Sequence, residues 1–503
     1  MKKRDHNILA RRKRKLKKRL ARRRWREQSE PMFKRANRVY EMAERTKGVK
    51  CGGIGAMATM VEGLGLPDRI NQWVKVLKRH LPYHESDHVL NMVYNIFSGG
   101  TCLEDIELGR NDENYMDALS AEVIPDPTTE GDFLRRFDTE EKLLLLMEAI
   151  NETRLAVWRK QDEAFRATAV IDVDGTIAPT LGECKQGMDM SYKGVWGYAP
   201  LIVSLANTRE ELYMVNRPGN CVSHAGAVEW IDRAITLAKR AFQEVWVRGD
   251  TDFSLTAHFD RWDDDGVGFV FGMDAMPNLV EIAERLVPHA WKRLRRKAKY
   301  EVKTEPRERP ENVKEKIVRE RGYENKRLLC EDVAEFNYRP GKCTKTYRVV
   351  VVRKNISVER GDNVLFPEVR YFFYITNDHT RTAAEIVIFA NGRCDQENGI
   401  EQLKNGVRAL RMPTGDLLSN WAYMIIAALA WNLKSWFGLL MRDKAMGMRV
   451  VRMEFPRFLH TFMELPCQIV RTGGRLVYRL LSYNNHSKAF LQTFDLLRAT
   501  SFT

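Results

Sequence analysis

Thr168-Ala-Val-Ile-Asp-Val-Asp-Gly-Thr176 is the stretch on which the fold of this chain turns. Apolar residues lead into two aspartates spaced by one valine. A buried strand here sends Asp172 and Asp174 to the same side, because strand side chains alternate with period two. Aspartate beside glycine also serves plain turn chemistry, so neither acid is a site by itself.

Order along the chain strengthens the reading. Residues 198–205 and 211–216 are apolar runs flanking a polar turn at 206–210, a hairpin signal that makes three antiparallel strands in all. Residues 223–242 carry a helical stripe at Val228, Ile231, Ile235 and Ala238, with Ser223 as the expected cap. Glu244-Val-Trp-Val-Arg-Gly-Asp250 is a short strand ending in a carboxylate; a short helix is expected at 253–261 and a fifth strand at 266–273.

Further on, residues 391–404 read Asn-Gly-Arg-Cys-Asp-Gln-Glu-Asn-Gly-Ile-Glu-Gln-Leu-Lys. With about 3.6 residues per turn, Arg393, Glu397 and Lys404 fall within roughly 40° on one helix face. A carboxylate there can complete a divalent-metal site while a guanidinium and an ammonium grip phosphates on either side. The plain alternative is a solvated helix with ordinary ion pairs.

Residues 171–176, 192–198 (Tyr-Lys-Gly-Val-Trp-Gly-Tyr), 216–220, 247–250 and 391–404 together resemble insertion-sequence transposases of the DDE type, most closely the thirteen-eighty group, over residues 87–483. The resemblance implies an α/β fold: a ribonuclease-H-like core, a β-rich insertion before the last catalytic helix, and a helical N-terminal region. It implies Asp174, Asp250 and Glu397 as catalytic ligands of two Mg²⁺ ions, which Mn²⁺ could replace, with Asp172 behind them. Asp174 is preferred to Asp172 because it precedes Gly175 and Thr176. The family's signature helix runs Tyr, two residues, Arg, three residues, Glu, six residues, Lys; here Ala390 stands at the tyrosine position, beside Phe389. Two ions about 3.5–4 Å apart serve in-line displacement at phosphorus. The implied partner is double-stranded DNA, as transposon ends and target, engaged by a homodimer in the bacterial cytoplasm.

Two other readings fit parts of the chain. Asp172-Val-Asp-Gly-Thr-Ile177 matches the signature of haloacid-dehalogenase-like phosphatases, with Asp172 as nucleophile and Asp174 as acid/base, but that strand should lead into a helix rather than a hairpin. A catalytically silent DNA-binding relic would need only the basic arm.

That arm, residues 1–30, includes Arg11, Arg12, Arg22, Arg23 and Arg24 and supplies nearly all of the formal charge of +15. Such a run is disordered or a solvated helix until it meets a polyanion, and DNA binding through it depends steeply on salt. It lacks the wide apolar face of a membrane-surface helix. With 503 residues, 44% of them hydrophobic, several folding units are possible. The expected division is 31–165 as a helical DNA-binding region, 166–276 and 386–450 as the two parts of the core, 277–385 as the insertion and 451–503 as a C-terminal region. No secretory signal is expected. Residues 421–431 are the most hydrophobic stretch, too short to span a bilayer and expected as a buried helix. The eight cysteines form no Cys-x-x-Cys pair, which predicts reduced thiols and no structural zinc.

Upstream, helices are expected at 87–98 and 139–160. Between them residues 125–136 resemble the entry of a helix-turn-helix ending in a basic helix, where Arg135 and Arg136 face phosphates rather than bases. The insertion is expected to hold a charged helical stretch at 291–321, whose Arg293, Arg295 and Arg296 face DNA, and strands at 346–353 and 369–376. A glycine hairpin is expected around Thr472-Gly-Gly474.

Overall fold

The computed structural model describes residues 2–21, 46–296, 313–361 and 363–499. Its centre is a nine-stranded mixed sheet. We label the long strands β1 (Thr168–Gly175), β2 (Leu201–Leu205), β3 (Glu210–Val215), β4 (Glu244–Gly249), β5 (Val267–Met273), β6 (Glu324–Tyr338), β7 (Tyr347–Arg360) and β8 (Asn363–Thr376). The sheet runs β6-β7-β8-β5-β4-β1-β2-β3, with the two-residue strand Lys292–Arg293 on the β6 edge. β1, β4 and β5 are parallel; β2 and β3 fold back antiparallel as a hairpin on β1. The ribonuclease-H-like order expected from sequence is therefore present.

The helices used below are α1 (Glu85–Phe97), α2 (Pro127–Leu134), α3 (Glu140–Arg159), α4 (Ala227–Lys239), α5 (Ala383–Asn391), α6 (Cys394–Glu401) and α7 (Leu417–Leu439). Apolar all round, α7 is buried almost end to end and packs on β3, α1 and α3. It contains the hydrophobic run at 421–431; among the described residues no helix is long and apolar enough to cross a membrane. α4 packs on β1, β2 and β4.

Several boundaries differ from the sequence reading. α4 begins at Ala227 rather than at Ser223, because Gly226 takes a left-handed φ of 68° and the Ser223 carbonyl accepts from Arg217. The short helix expected at 253–261 is two tight 3-10 turns followed by Phe259–Asp264. α2 stops at Leu134, so Arg135 is its cap and Arg136 lies beyond it: the segment does not end in a basic helix. The insertion strands are longer than expected, and β8 pairs directly with β5, so they extend the core sheet instead of standing apart from it. Of the charged stretch at 291–321, the strand Lys292–Arg293 and the helix Val313–Glu320 are seen, and 297–312 lie outside the described residues.

A second, small sheet joins distant parts of the chain. Cys467–Thr472 and Arg475–Leu480 form the expected hairpin, with Gly473 and Gly474 at φ 55° and 67° in its turn, and Gly48–Val49 pairs antiparallel with its first strand. Gly52 and Gly53 press so closely on the backbone of Leu465 and Phe462 that a Cβ at either would clash.

Candidate active site

Period two along β1 does what the sequence predicts. Asp172 and Asp174 face α5 and α6, and Trp246 and Arg248 of β4 face the same way, Trp246 meeting Phe389 of α5 edge-on. Asp172 is fully buried and held by both arms of Arg248, with Nε donating to Oδ1 at 2.7 Å and Nη2 to Oδ2 at 2.8 Å. The third arm of that guanidinium, Nη1, donates to the carbonyl of Phe389 at 2.6 Å. One side chain thus ties β1, β4 and the end of α5 together.

Asp174 lies one pleat further, with only about 15% of its side chain exposed. Arg393, at the break between α5 and α6, donates from Nη1 to Asp174 Oδ2 at 2.9 Å and places Nη2 3.9 Å from Asp250 Oδ2. Asp250 follows β4 immediately, and its Oδ1 accepts the Asp252 amide, capping the next turn. Burial pushes the Asp174 carboxyl up to about 6, with repulsion from Asp250 adding to it and Arg393 opposing. Burial raises Asp250 as well, again against Arg393. Two acids that resist ionising together, sharing one cation, make a site at which positive charge is strongly favoured.

Glu397 sits one turn beyond Arg393 on α6, exposed and, among the described residues, without a hydrogen bond or ion pair. It shares the flank of Arg393, but the three acids do not close on one another. Among the described residues the one group of three His, Cys, Asp or Glu side chains with ligand atoms within 4.8 Å of each other is elsewhere. A neighbouring flank of α6 is anchored: Gln396 is buried and donates to the carbonyls of Asp172 and Ile202. Lys404 stands in a π turn, Gln402–Gly406, rather than on a continued α-helix. Burial lowers its ammonium pKa and Lys193 lowers it further, while Glu401 and Asp174 act in the other direction.

That link to Lys193 reveals neighbours the sequence reading did not single out. Residues 189–198 form a small hairpin with Tyr192 and Trp196 exposed at its end and Lys193 over the Tyr192 ring. The motif at 192–198 was quotable from sequence, but the exposure of its aromatics was not. Arg248 was missed too, although an arginine inside an apolar strand was the available signal.

The outlying cations are dispersed. Arg11 is exposed on the solvated helix Lys3–Ala21, whereas Arg12 donates to the carbonyls of Leu480 and Ser482. Arg22, Arg23 and Arg24 lie outside the described residues. Arg135 is exposed and pairs with Asp132 at 2.8 Å, and Arg136 is exposed beside it. In the insertion, Arg296 is held by Glu331 through two bonds and Arg293 lies 3.6 Å from Asp332.

Set beside known proteins, the chain matches the family described as Transposase DDE domain group 1 over residues 48–501. No curated protein sequence matches it. Among solved structures, a cryo-EM structure of a piggyBac transposase synaptic complex with hairpin DNA is similar at a TM-score of 0.36 and 11% identity, covering 82% of this chain and 81% of that one.

Proposed function

This chain belongs to the Transposase DDE domain group 1 family, and from that membership we propose that it is the DNA transposase of an insertion sequence, binding terminal inverted repeats and catalysing strand cleavage and strand transfer. The observation that supports this most is the single guanidinium of Arg393 spanning Asp174 and Asp250, which draws the ends of β1 and β4 to the signature helix.

DDE transposases use divalent metal ions, and the donors here suit them: carboxylate oxygens only, those of Asp174 and Asp250 partly buried and compensated by Arg393, that of Glu397 exposed. Asp174, Asp250 and Glu397 would hold two Mg²⁺ ions, or Mn²⁺ in their place. When bound, such ions activate a water or 3′-hydroxyl and stabilise the departing oxygen. The protein's own residues prepare that chemistry. Asp172, locked by Arg248, fixes the β1 end and the α5–α6 break. Arg393 moves from the acids to a phosphate oxygen, Lys404 and Lys193 neutralise the adjoining phosphates, and Tyr192 and Trp196 offer flat faces for bases near the cut. Arg11, Arg22, Arg23, Arg24, Arg135 and Arg136 add backbone contacts along the duplex, and a homodimer pairs the two ends in the bacterial cytoplasm.

A phosphatase reading would make Asp172 the nucleophile, yet Asp172 is 1% exposed with both oxygens bound to Arg248. The deciding experiment incubates the protein with Mg²⁺ and labelled end DNA. Asp174→Ala, Asp250→Ala and Glu397→Ala each abolish nicking while DNA binding persists; nicking that survives all three changes refutes the assignment.

A further inference from the structure

Glu85, the first residue of α1, is fully buried, and its carboxylate is aimed by the chain that precedes it. Oε1 accepts the amides of Val76 and Leu77 at 3.2 and 3.1 Å, which leaves Oε2 turned towards His80, whose Nε2 lies 3.1 Å away. His84, adjoining Glu85, stacks its ring on that of His80 with centroids 4.3 Å apart and planes 18° from parallel. One ligand atom from each of the three comes within 4.8 Å of both others.

We propose that His80, His84 and Glu85 bind a single Zn²⁺ ion, with the fourth position open to water. Imidazole and carboxylate are ordinary zinc ligands, and bond lengths of 2.0–2.2 Å in a tetrahedron separate ligand atoms by about 3.4 Å. The His80–Glu85 separation is already close to that value, and both histidines are exposed. The buried member is the one that cannot turn, and its two amide donors supply the outer hydrogen bonds that orient a metal-bound carboxylate. A buried carboxylate also needs a countercharge, and a dication shared by three ligands provides it without two protonated imidazoles stacked face to face. The ion would close the loop 74–84 onto the start of α1 and fix the exposed Lys78 and Arg79 beside it. Cysteine spacing is silent on such a site, because no thiolate takes part.

Calorimetric titration of the full chain with ZnCl₂ in buffer saturated with Mg²⁺ tests this, together with the visible absorption of Co²⁺ added instead. We expect one Zn²⁺ per chain and a tetrahedral Co²⁺ spectrum. In the variant carrying His80→Ala and His84→Ala the spectrum is lost and affinity falls at least about 10-fold. Both substitutions are at exposed positions, and an unchanged thermal transition without zinc verifies the fold. Asp174→Ala keeps the Zn²⁺ site, which separates this result from any failure of the catalytic assignment. Equal binding by wild type and the double variant, or no binding by wild type, overturns the proposal.

Discussion

Arg248 carries more of the site's geometry than any acid. Lysine in its place keeps the charge but cannot reach Asp172 twice and the Phe389 carbonyl once. Arg248→Lys should therefore slow end cleavage about 100-fold through misplacement of Arg393, seen in kcat while DNA affinity holds. Glu211 shows the opposite case, a carboxyl with too little support. Burial pushes it up to about 8, Arg154 opposing and Glu210 adding, and its Oε2 has no partner. The folded chain thus holds a proton that the unfolded chain releases near the ordinary 4.5, so this contribution to stability is full below about 4.5 and is lost as pH rises towards 8. Glu211→Gln should raise the unfolding temperature at pH 8 and change it little at pH 4.5, since its amide can face the unpartnered Gln396 Oε1 across the same small cavity. Alternation along β1 made the shared side of Asp172 and Asp174 legible, and the apolar run of β4 made Asp250 legible as a strand-end acid, because both depend only on local backbone geometry. Glu211 was read as the polar start of a strand beside a turn; its burial comes from α7, which lies some two hundred residues away and leaves no local trace.

Among elements, α3, β3 and α7 meet at Glu210. That buried carboxylate accepts from Arg154 Nε at 2.9 Å, Trp158 Nε1 at 3.0 Å, Trp436 Nε1 at 2.6 Å and Thr208 Oγ1 at 2.5 Å. Glu210→Ala leaves Arg154 buried and uncompensated, and should cost about 3–5 kcal/mol in denaturant unfolding. The long apolar helices were read correctly because their periodicity is strong, and β1 to β5 because each is short, apolar and bounded by turn residues. β6 went unread: its first half, Glu-Asn-Lys-Arg-Leu-Leu-Cys-Glu, is polar because that part of the strand is largely exposed. The signature stretch was read as one helix, whereas it is a broken one, with Arg393 at the α5–α6 junction and Lys404 in a π turn. Ideal helical angles assume unbroken hydrogen bonding, and such irregular turns recur where function sets side-chain direction.

At the scale of the molecule, charge and sheet divide the work. The Lys3–Ala21 helix buries none of its residues and docks through Arg12 on the carbonyls of Leu480 and Ser482, so its exposed cations are placed for association. Deleting residues 2–21 should lower affinity for any duplex and flatten the dependence of log K on log salt, measured by fluorescence anisotropy across a salt series. A deletion that leaves the slope unchanged would place the DNA-binding charge elsewhere. The core and the existence of a β-rich insertion were both legible, but its continuity with the core sheet was not, because strand pairing between β5 and β8 is a long-range choice that neither strand's pattern encodes.

The strand Gly48–Val49 has a consequence for biosynthesis. Its mate, Cys467–Thr472, follows far along the chain, after the whole core sheet, so a growing polypeptide on the ribosome holds residues 48–53 without their partner strand until that hairpin emerges. Closure is therefore timed by emergence of Cys467–Thr472 rather than by that of the strands that bear the acids. A stop codon introduced before Cys467 should yield products that proteases clip near residues 48–53, far from the truncation.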